Sequence, residues 1–203
     1  MMRFFISDTH FGHTNIIRYS NRPFKDVPHM NEELIKRWNS VVEPNDIVYH
    51  LGDVAMGPKD QWDGLLTRLN GRLRLVVGNH EPIFAAESEK HQARWRPEFE
   101  KWFEHITTNW KEFSLFDGRE VNLSHFPYEA DHMDNARYME HRLPDEGTTL
   151  VHGHTHAEYE KHGMDARVSR SNKGTLQIHV GADAWDYTPV AEAEVIDLIE
   201  RNS

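Results

Sequence analysis

An α/β fold, with helices layered on a largely parallel sheet, follows from two features of the first eighty residues. Short apolar runs alternate with segments of helical periodicity, in the order strand, helix, strand, helix, strand. Each apolar run then ends in residues able to bind a metal or a phosphate: Asp8, Gly52-Asp53 and Gly78-Asn79-His80. Ligands in parallel sheets collect at the carboxyl ends of strands, where these residues fall. No linker, repeat or low-complexity tract appears, so residues 1–203 are expected to form one domain with a substantial core.

Arg3 to Ser7 (RFFIS) reads as a buried strand ending at Asp8. Thr9 to Pro28 lacks a clean period and reads as a long loop with a helical turn at Asn15 to Tyr19. Long ordered loops often carry function. Arg18 and Arg22 are therefore candidates to contact a substrate phosphate, although solvated or acid-paired arginines fit the same positions. Asn31 is a candidate N-cap, with Glu32 and Glu33 in the first turn of a helix and Leu34, Ile35, Trp38, Val41 and Val42 at helical spacing. Asp46 to Leu51 is the second strand, Gln61 to Leu69 the second helix and Leu73 to Val77 the third strand.

Glu87 to Phe103 is expected to be helical, interrupted by Pro97. Thr107 to Phe116 and Arg119 to Leu123 form a hairpin turning at Asp117-Gly118, and the second arm leads to Ser124-His125. Tyr128 to Glu146 is polar and irregular, holding Asp131, His132, Asp134, His141 and Arg142. Thr148 to His152 and Thr175 to Val180 are further strands. Gly181 to Pro189 is rich in turn residues, and Val190 to Ile199 is a closing helix.

The absence of cysteine excludes disulfides, thiolate metal sites and a cysteine nucleophile. Fifteen histidines remain, so a metal site here uses imidazole, carboxylate and amide ligands. A formal net charge of −10 argues against a long nucleic-acid groove, but leaves room for a nucleotide or strand end held by metal ions. The longest apolar runs are far too short to span a membrane, and the start carries no signal-peptide pattern. A cytoplasmic location is the expectation.

The sharpest stretch is Val151 to His156 (VHGHTH). In extended chain His154 and His156 would lie on one face and aim at one point. The full order Asp8-x-His10, Gly52-Asp53, Gly78-Asn79-His80-Glu81, His125 and Gly153-His154-x-His156 resembles the calcineurin-like metallophosphoesterase superfamily. Within it, SDTHFGHTNIIRYSNRPF and VGADAWDYTPV are similar to a group of small bacterial and phage phosphoesterases.

The resemblance implies a four-layer α/β/β/α sandwich and two divalent metal ions. Manganese is foremost, with iron, zinc or nickel as alternatives. It assigns Asp8, His10 and His156 to one ion, Asn79, His125 and His154 to the other, and Asp53 to both. It places His80 near the leaving group, with Glu81 orienting it. Two divalent ions roughly 3.5–4 Å apart need a shared anion between them, which a carboxylate supplies. Against Asp8, Asp53 and a bridging hydroxide they keep a single residual positive charge, matched to a phosphodiester monoanion. The implied reaction is attack on phosphorus by a metal-bridging hydroxide, with His80 assisting the leaving group.

The expected activity is that of a phosphodiesterase on nucleotides or cyclic nucleotides such as 2′,3′-cyclic esters. Small members of the superfamily act on such diesters. Asn79 and His80 join Arg18 and Arg22 as candidate substrate contacts. Asp183 and Tyr187 are candidates to line the site from the closing segment, and His13 and His50 to support the ligands. His50, His91, His105, His132, His141, His152, His162 and His179 read as hydrogen-bonded core residues rather than ligands.

Three other activities fit parts of the pattern. A phosphomonoesterase or protein phosphatase shares Gly-Asn-His-Glu, yet the Asp-Arg-Gly expected soon after Gly-Asp is replaced here by GDVAMG. A strand-end nuclease gains little from the acidic charge. A binding scaffold with a vestigial metal site, as in a retromer subunit of this superfamily, should have lost ligand residues, and every expected position is filled. The charged, aromatic middle segment is compatible with a homodimer.

Overall fold

A computed structural model describes residues 1–129, 137–156 and 165–203. Asp131, His132, Asp134 and His162 lie outside the described residues. The described part builds the expected sandwich of two mixed sheets flanked by helices. In the first sheet β1 (Arg3–Ile6), β2 (Ile47–His50), β3 (Arg72–Val76) and β4 (Phe103–Thr107) run parallel. The two-residue β10 (Val190–Ala191) pairs antiparallel on the β1 edge. The second sheet has β5 (Asn109–Ser114), β6 (Glu120–Ser124), β7 (Leu150–His152), β9 (Leu176–His179) and β8 (Val168–Arg170) in that spatial order.

The first sheet is buried on both faces, which explains its continuous apolar runs. Alternation along β1 sends Phe4 and Ile6 into one cluster and Phe5 into the other. The Phe4 cluster is completed by helices: Met30, Leu34, Ile35 and Trp38 of α2 (Val27–Val41), Trp62 and Leu66 of α3 (Lys59–Leu66), and Phe99 of α4 (Glu89–Trp102). The Phe5 cluster lies between the sheets and takes in Tyr49, Leu123, Val151 and Ile178, with Val195, Leu198 and Ile199 of α5 (Glu192–Asn202).

Several boundaries differ from expectation for identifiable reasons. Helix α2 starts four residues before Asn31, because the Asp26 carboxylate accepts from the His29 N–H at 2.9 Å and caps it. Asn31 lies inside the helix, where its Oδ1 accepts from the Gly12 N–H and ties down the long loop. That loop contains a single helical turn, α1 (Ile16–Tyr19). Pro97 does not interrupt α4. A mid-helix proline costs about 3 kcal/mol; Trp62, Trp95, Phe99 and Trp102 pack against one another beside it with ring centroids 5.3–6.2 Å apart, which offsets that cost. Strands β4 and β8 went unread because their sequences, FEHIT and VSR, are half polar edge strands. No helix among the described residues is long and apolar enough to cross a membrane.

Candidate metal centre

The loops that follow β1, β2, β3, β6 and β7 converge at the carboxyl ends of both sheets. Backbone bonds lace them together: Asp8 N–H to Gly52 O, His10 N–H to Asp53 O and Gly153 N–H to His125 O, at 2.9–3.0 Å. Five residues here have positive φ although none is glycine: Asp8 (56°), His10 (50°), Asp53 (58°), His154 (70°) and His156 (45°). Such backbone costs about 1–3 kcal/mol per residue and collects at functional sites. His154 and His156 are therefore not in extended chain, and the same-face expectation is corrected. His156 turns toward His10, their Nε2 atoms 3.3 Å apart, whereas the His154 ring sits 5.1 Å from that of His125.

Two buried carboxylates form the floor. Asp8 Oδ2 accepts from Ser7 Oγ at 2.6 Å and from the His154 N–H at 2.9 Å, while Oδ1 is buried with no hydrogen-bond partner among the described residues. Asp53 Oδ1 accepts from the His80 N–H at 2.9 Å. Its Oδ2 stands 3.5 Å from His125 Nε2, 3.7 Å from His10 Nε2 and 3.9 Å from His80 Nε2. Asp8, His10 and His156 form one group of donor atoms close enough to share an ion, and Asp8, Asp53 and His125 form another. Asn79 Oδ1 lies 3.1 Å from His125 Nε2.

The orientation of the imidazoles bears on what the centre can hold. His125 Nδ1 meets the Leu51 carbonyl at 2.7 Å, and His156 Nδ1 meets Asp183 Oδ2 at 3.0 Å. Both acceptors require the proton on Nδ1, which directs an Nε2 lone pair inward in each neutral ring. Burial disfavours charge on both rings. For His125 the Asp53 and Asp8 carboxylates outweigh it, and for His156 Asp183 and Asp8 do, so both pKa values rise. Burial alone would also raise the Asp8 carboxyl, yet the field of His156, His125 and His10 holds it well below the usual range. An orphaned carboxylate oxygen, inward lone pairs and an affinity for positive charge fit divalent metal ions.

His80 stands at the open side, its side chain 42% exposed, its ring 5.4 Å from that of His10. Burial lowers its pKa. Glu81 accepts from the backbone N–H groups of Asp53 (3.0 Å), Val54 (2.8 Å) and Gly78 (2.5 Å). It pins the loops carrying Asp53 and Asn79, a different task from orienting His80. Burial, then repulsion from Asp53, pushes its pKa up to about 7. Gly78 has no room for a side chain, since a Cβ would run into the Asp53 carboxylate.

Of the arginines, Arg18 is exposed on α1. Arg22 is no substrate contact: its side chain is buried and engaged by Asp183 and by the Thr9 and Asp8 carbonyls. Tyr187 packs on Phe24 in the helix-side core, with ring centroids 4.8 Å apart. His13 lies beside the centre, its ring 5.3 Å from His10. His50 reaches Thr9 Oγ1 at 2.9 Å. His152 and His179 are buried core residues, but His105 is exposed on β4, against Trp110. Ser7 was missed by sequence reasoning, since a serine beside an aspartate carries no signal of its own.

Two stacked mixed sheets with histidines and carboxylates gathered at their carboxyl ends define a metallophosphoesterase framework. The chain belongs to the calcineurin-like phosphoesterase superfamily, whose domain model matches residues 1–190. It is 35% identical over 208 residues to the Gene 66 protein of Mycobacterium phage L5, covering 97% of this chain and 93% of that protein. An uncharacterized protein of Methanocaldococcus jannaschii is 32% identical over 200 residues, covering 98% and 91%. A solved structure from Aquifex aeolicus, of a protein of unknown function, aligns with a TM-score of 0.70 at 26% identity, covering 97% of this chain and 98% of that one. Membership of this superfamily points to metal-dependent phosphoester hydrolysis.

Proposed function

We propose that the protein is a dinuclear metal-dependent phosphodiesterase acting on nucleotide or cyclic-nucleotide diesters. The observation that carries this reading is the crowding of inward-facing acceptors. Asp8 Oδ1 has no hydrogen-bond partner among the described residues, Asp53 Oδ2 faces three imidazoles within 3.9 Å, and His10 and His156 bring their Nε2 atoms to 3.3 Å. Asp8, His10 and His156 would hold one ion, Asn79, His125 and His154 the other, and Asp53 both. Bound divalent ions supply Lewis acidity toward phosphoryl oxygens and make hydroxide available near neutral pH.

The chain's own residues would do the rest. Ser7 and the His154 N–H hold Asp8 Oδ2 so that Oδ1 faces inward. Glu81 holds the backbone of Asp53 and Gly78. His80, fixed through its N–H to Asp53 Oδ1 and open to solvent, would carry the proton that a departing alkoxide needs. Only two carboxylates stand among the proposed ligands, so two divalent ions and a hydroxide would leave a single residual positive charge, which matches a diester monoanion.

The test uses metal-stripped protein resupplied with Mn²⁺ and a panel pairing a chromogenic diester with its monoester, then 2′,3′-cyclic AMP with 3′,5′-cyclic AMP. Metal-dependent diester turnover exceeding monoester turnover is expected. His80→Ala should lower kcat by about 10²–10⁴-fold with Mn²⁺ still bound. Silence across the panel from folded, metal-loaded protein would sink the phosphodiesterase reading in favour of a binding scaffold.

A further inference from the structure

Asp183 lies in the 3-10 turn Ala182–Ala184, just after β9, far in sequence from every proposed ligand. The turn is clipped to the end of β1 by the Ala182 N–H to Ser7 O bond at 2.9 Å. From there Asp183 Oδ2 meets His156 Nδ1 at 3.0 Å. The same carboxylate takes a two-point grip from Arg22, Nε to Oδ1 at 2.8 Å and Nη2 to Oδ2 at 3.0 Å. The Arg22 and Asp183 side chains are 0% and 1% exposed. Arg22 also holds the backbone of the first loop: Nη1 donates to Thr9 O at 2.9 Å and Nη2 to Asp8 O at 2.7 Å, while Nη1 further contacts Met30 Sδ at 3.7 Å.

One guanidinium thus fixes the turn between Asp8 and His10, both at positive φ, and fixes the carboxylate that orients His156. We propose that Asp183 is the positioning residue for His156, and Arg22 its anchor, so that this pair sets the affinity of the Asp8–His10–His156 group for its metal ion. The inference rests on the metallohydrolase reading above. A carboxylate on Nδ1–H fixes the tautomer, holds the ring plane and makes Nε2 a stronger donor. Arg22 supplies, at 2.8 and 3.0 Å, the opposite charge that a buried carboxylate requires. A mere buried ion pair would stabilise the fold without touching ligand affinity, and this difference is measurable.

The experiment titrates metal-free wild type, Asp183→Asn, Asp183→Glu and Arg22→Lys with Mn²⁺, reading bound metal by calorimetry and by the loss of the free-ion EPR signal. Thermal unfolding of each metal-free protein is recorded alongside. Asp183→Asn keeps the shape and loses the charge. It should weaken one Mn²⁺ site by about 10–100-fold and leave the other within a few-fold. Asp183→Glu should recover part of the loss, and Arg22→Lys should weaken the same site to a smaller extent. Wild-type affinity at both sites in folded Asp183→Asn, whatever its melting temperature, would overturn the proposal. Absence of Mn²⁺ uptake by wild type would instead overturn the metallohydrolase reading itself. Imidazole ¹⁵N spectra of the wild type serve even if the variants do not fold: His156 protonated at Nδ1 is expected, and the Nε2-protonated tautomer would refute the assignment.

Discussion

Acidification should destabilise the metal-free protein steeply below pH 6.5, and three histidines outside the proposed ligand set account for the effect. His50, His152 and His179 are each no more than 2% exposed. Burial pushes their pKa values down to about 3, about 3 and about 4. Both His179 nitrogens, His152 Nε2 and His50 Nδ1 lack hydrogen-bond partners among the described residues, and burial outweighs the attraction of the Asp8 carboxylate for a proton on each ring. The His152 and His179 rings lie 5.4 Å apart, and charging one repels the other. Below 6.5 the unfolded chain binds protons that the native state refuses. The stability due to this refusal is intact above the unfolded value and is lost as pH falls toward the folded values. Each histidine contributes a slope of about 1.4 kcal/mol per pH unit. At pH 5 that is about 2 kcal/mol each and about 6 kcal/mol together, comparable to the whole stability of an ordinary domain. His10 acts in the same sense, and His125, His156 and Glu81, whose pKa values are raised, act in the opposite one. The clean readout is therefore a difference. Urea unfolding in chelator between pH 5 and pH 6.5 should give His152→Gln and His179→Gln a pH slope shallower than wild type by about 1.4 kcal/mol per pH unit. Equal slopes would refute the reasoning.

Three further outcomes can be checked. Gly153→Ala places a Cβ 2.6 Å from Asp8 Oδ2 and also against Ser7 Oγ, so the carboxylate must move; turnover of a chromogenic diester should fall on the order of 100-fold, and unchanged kinetics would show that the contact yields. Glu192→Gln removes the charge facing Arg3, which grips it at Nε at 2.6 Å and at Nη2, while the same carboxylate caps the Phe116 N–H. Because Arg3 is partly exposed, the expected loss is about 3 kcal/mol by urea titration, and a stability within error of wild type would contradict it. Mn²⁺ must displace the protons that His125 and His156 retain through raised pKa values. Calorimetry in buffers of different ionisation enthalpy should register proton release, with affinity rising with pH across the window above 6.5; buffer-independent heats would argue that neither ring is charged.

What the sequence determined is local and repetitive. Alternating apolar runs and helical periods set the α/β layering. The polar residues closing those runs, Asp8, Asp53, Asn79-His80, His125 and His154-x-His156, marked the centre because strand ends are where such sheets present ligands. What tertiary structure decided depends on partners far apart in the chain. Arg22 reads equally as a phosphate contact or a buried clamp until Asp183, 161 residues away, closes on it. Glu81 beside His80 suggests a pair, yet its carboxylate turns back to three backbone N–H groups. The split of His154 and His156 follows from left-handed backbone, which loop packing imposes against the local preference for extended chain. Pro97 stays helical because aromatic burial outweighs a local cost, and β4 forms because β3 offers it an edge. Periodicity and residue type are properties of neighbours along the chain, whereas tautomer, ring direction and the partner of a buried charge are set by whatever the fold brings across the gap.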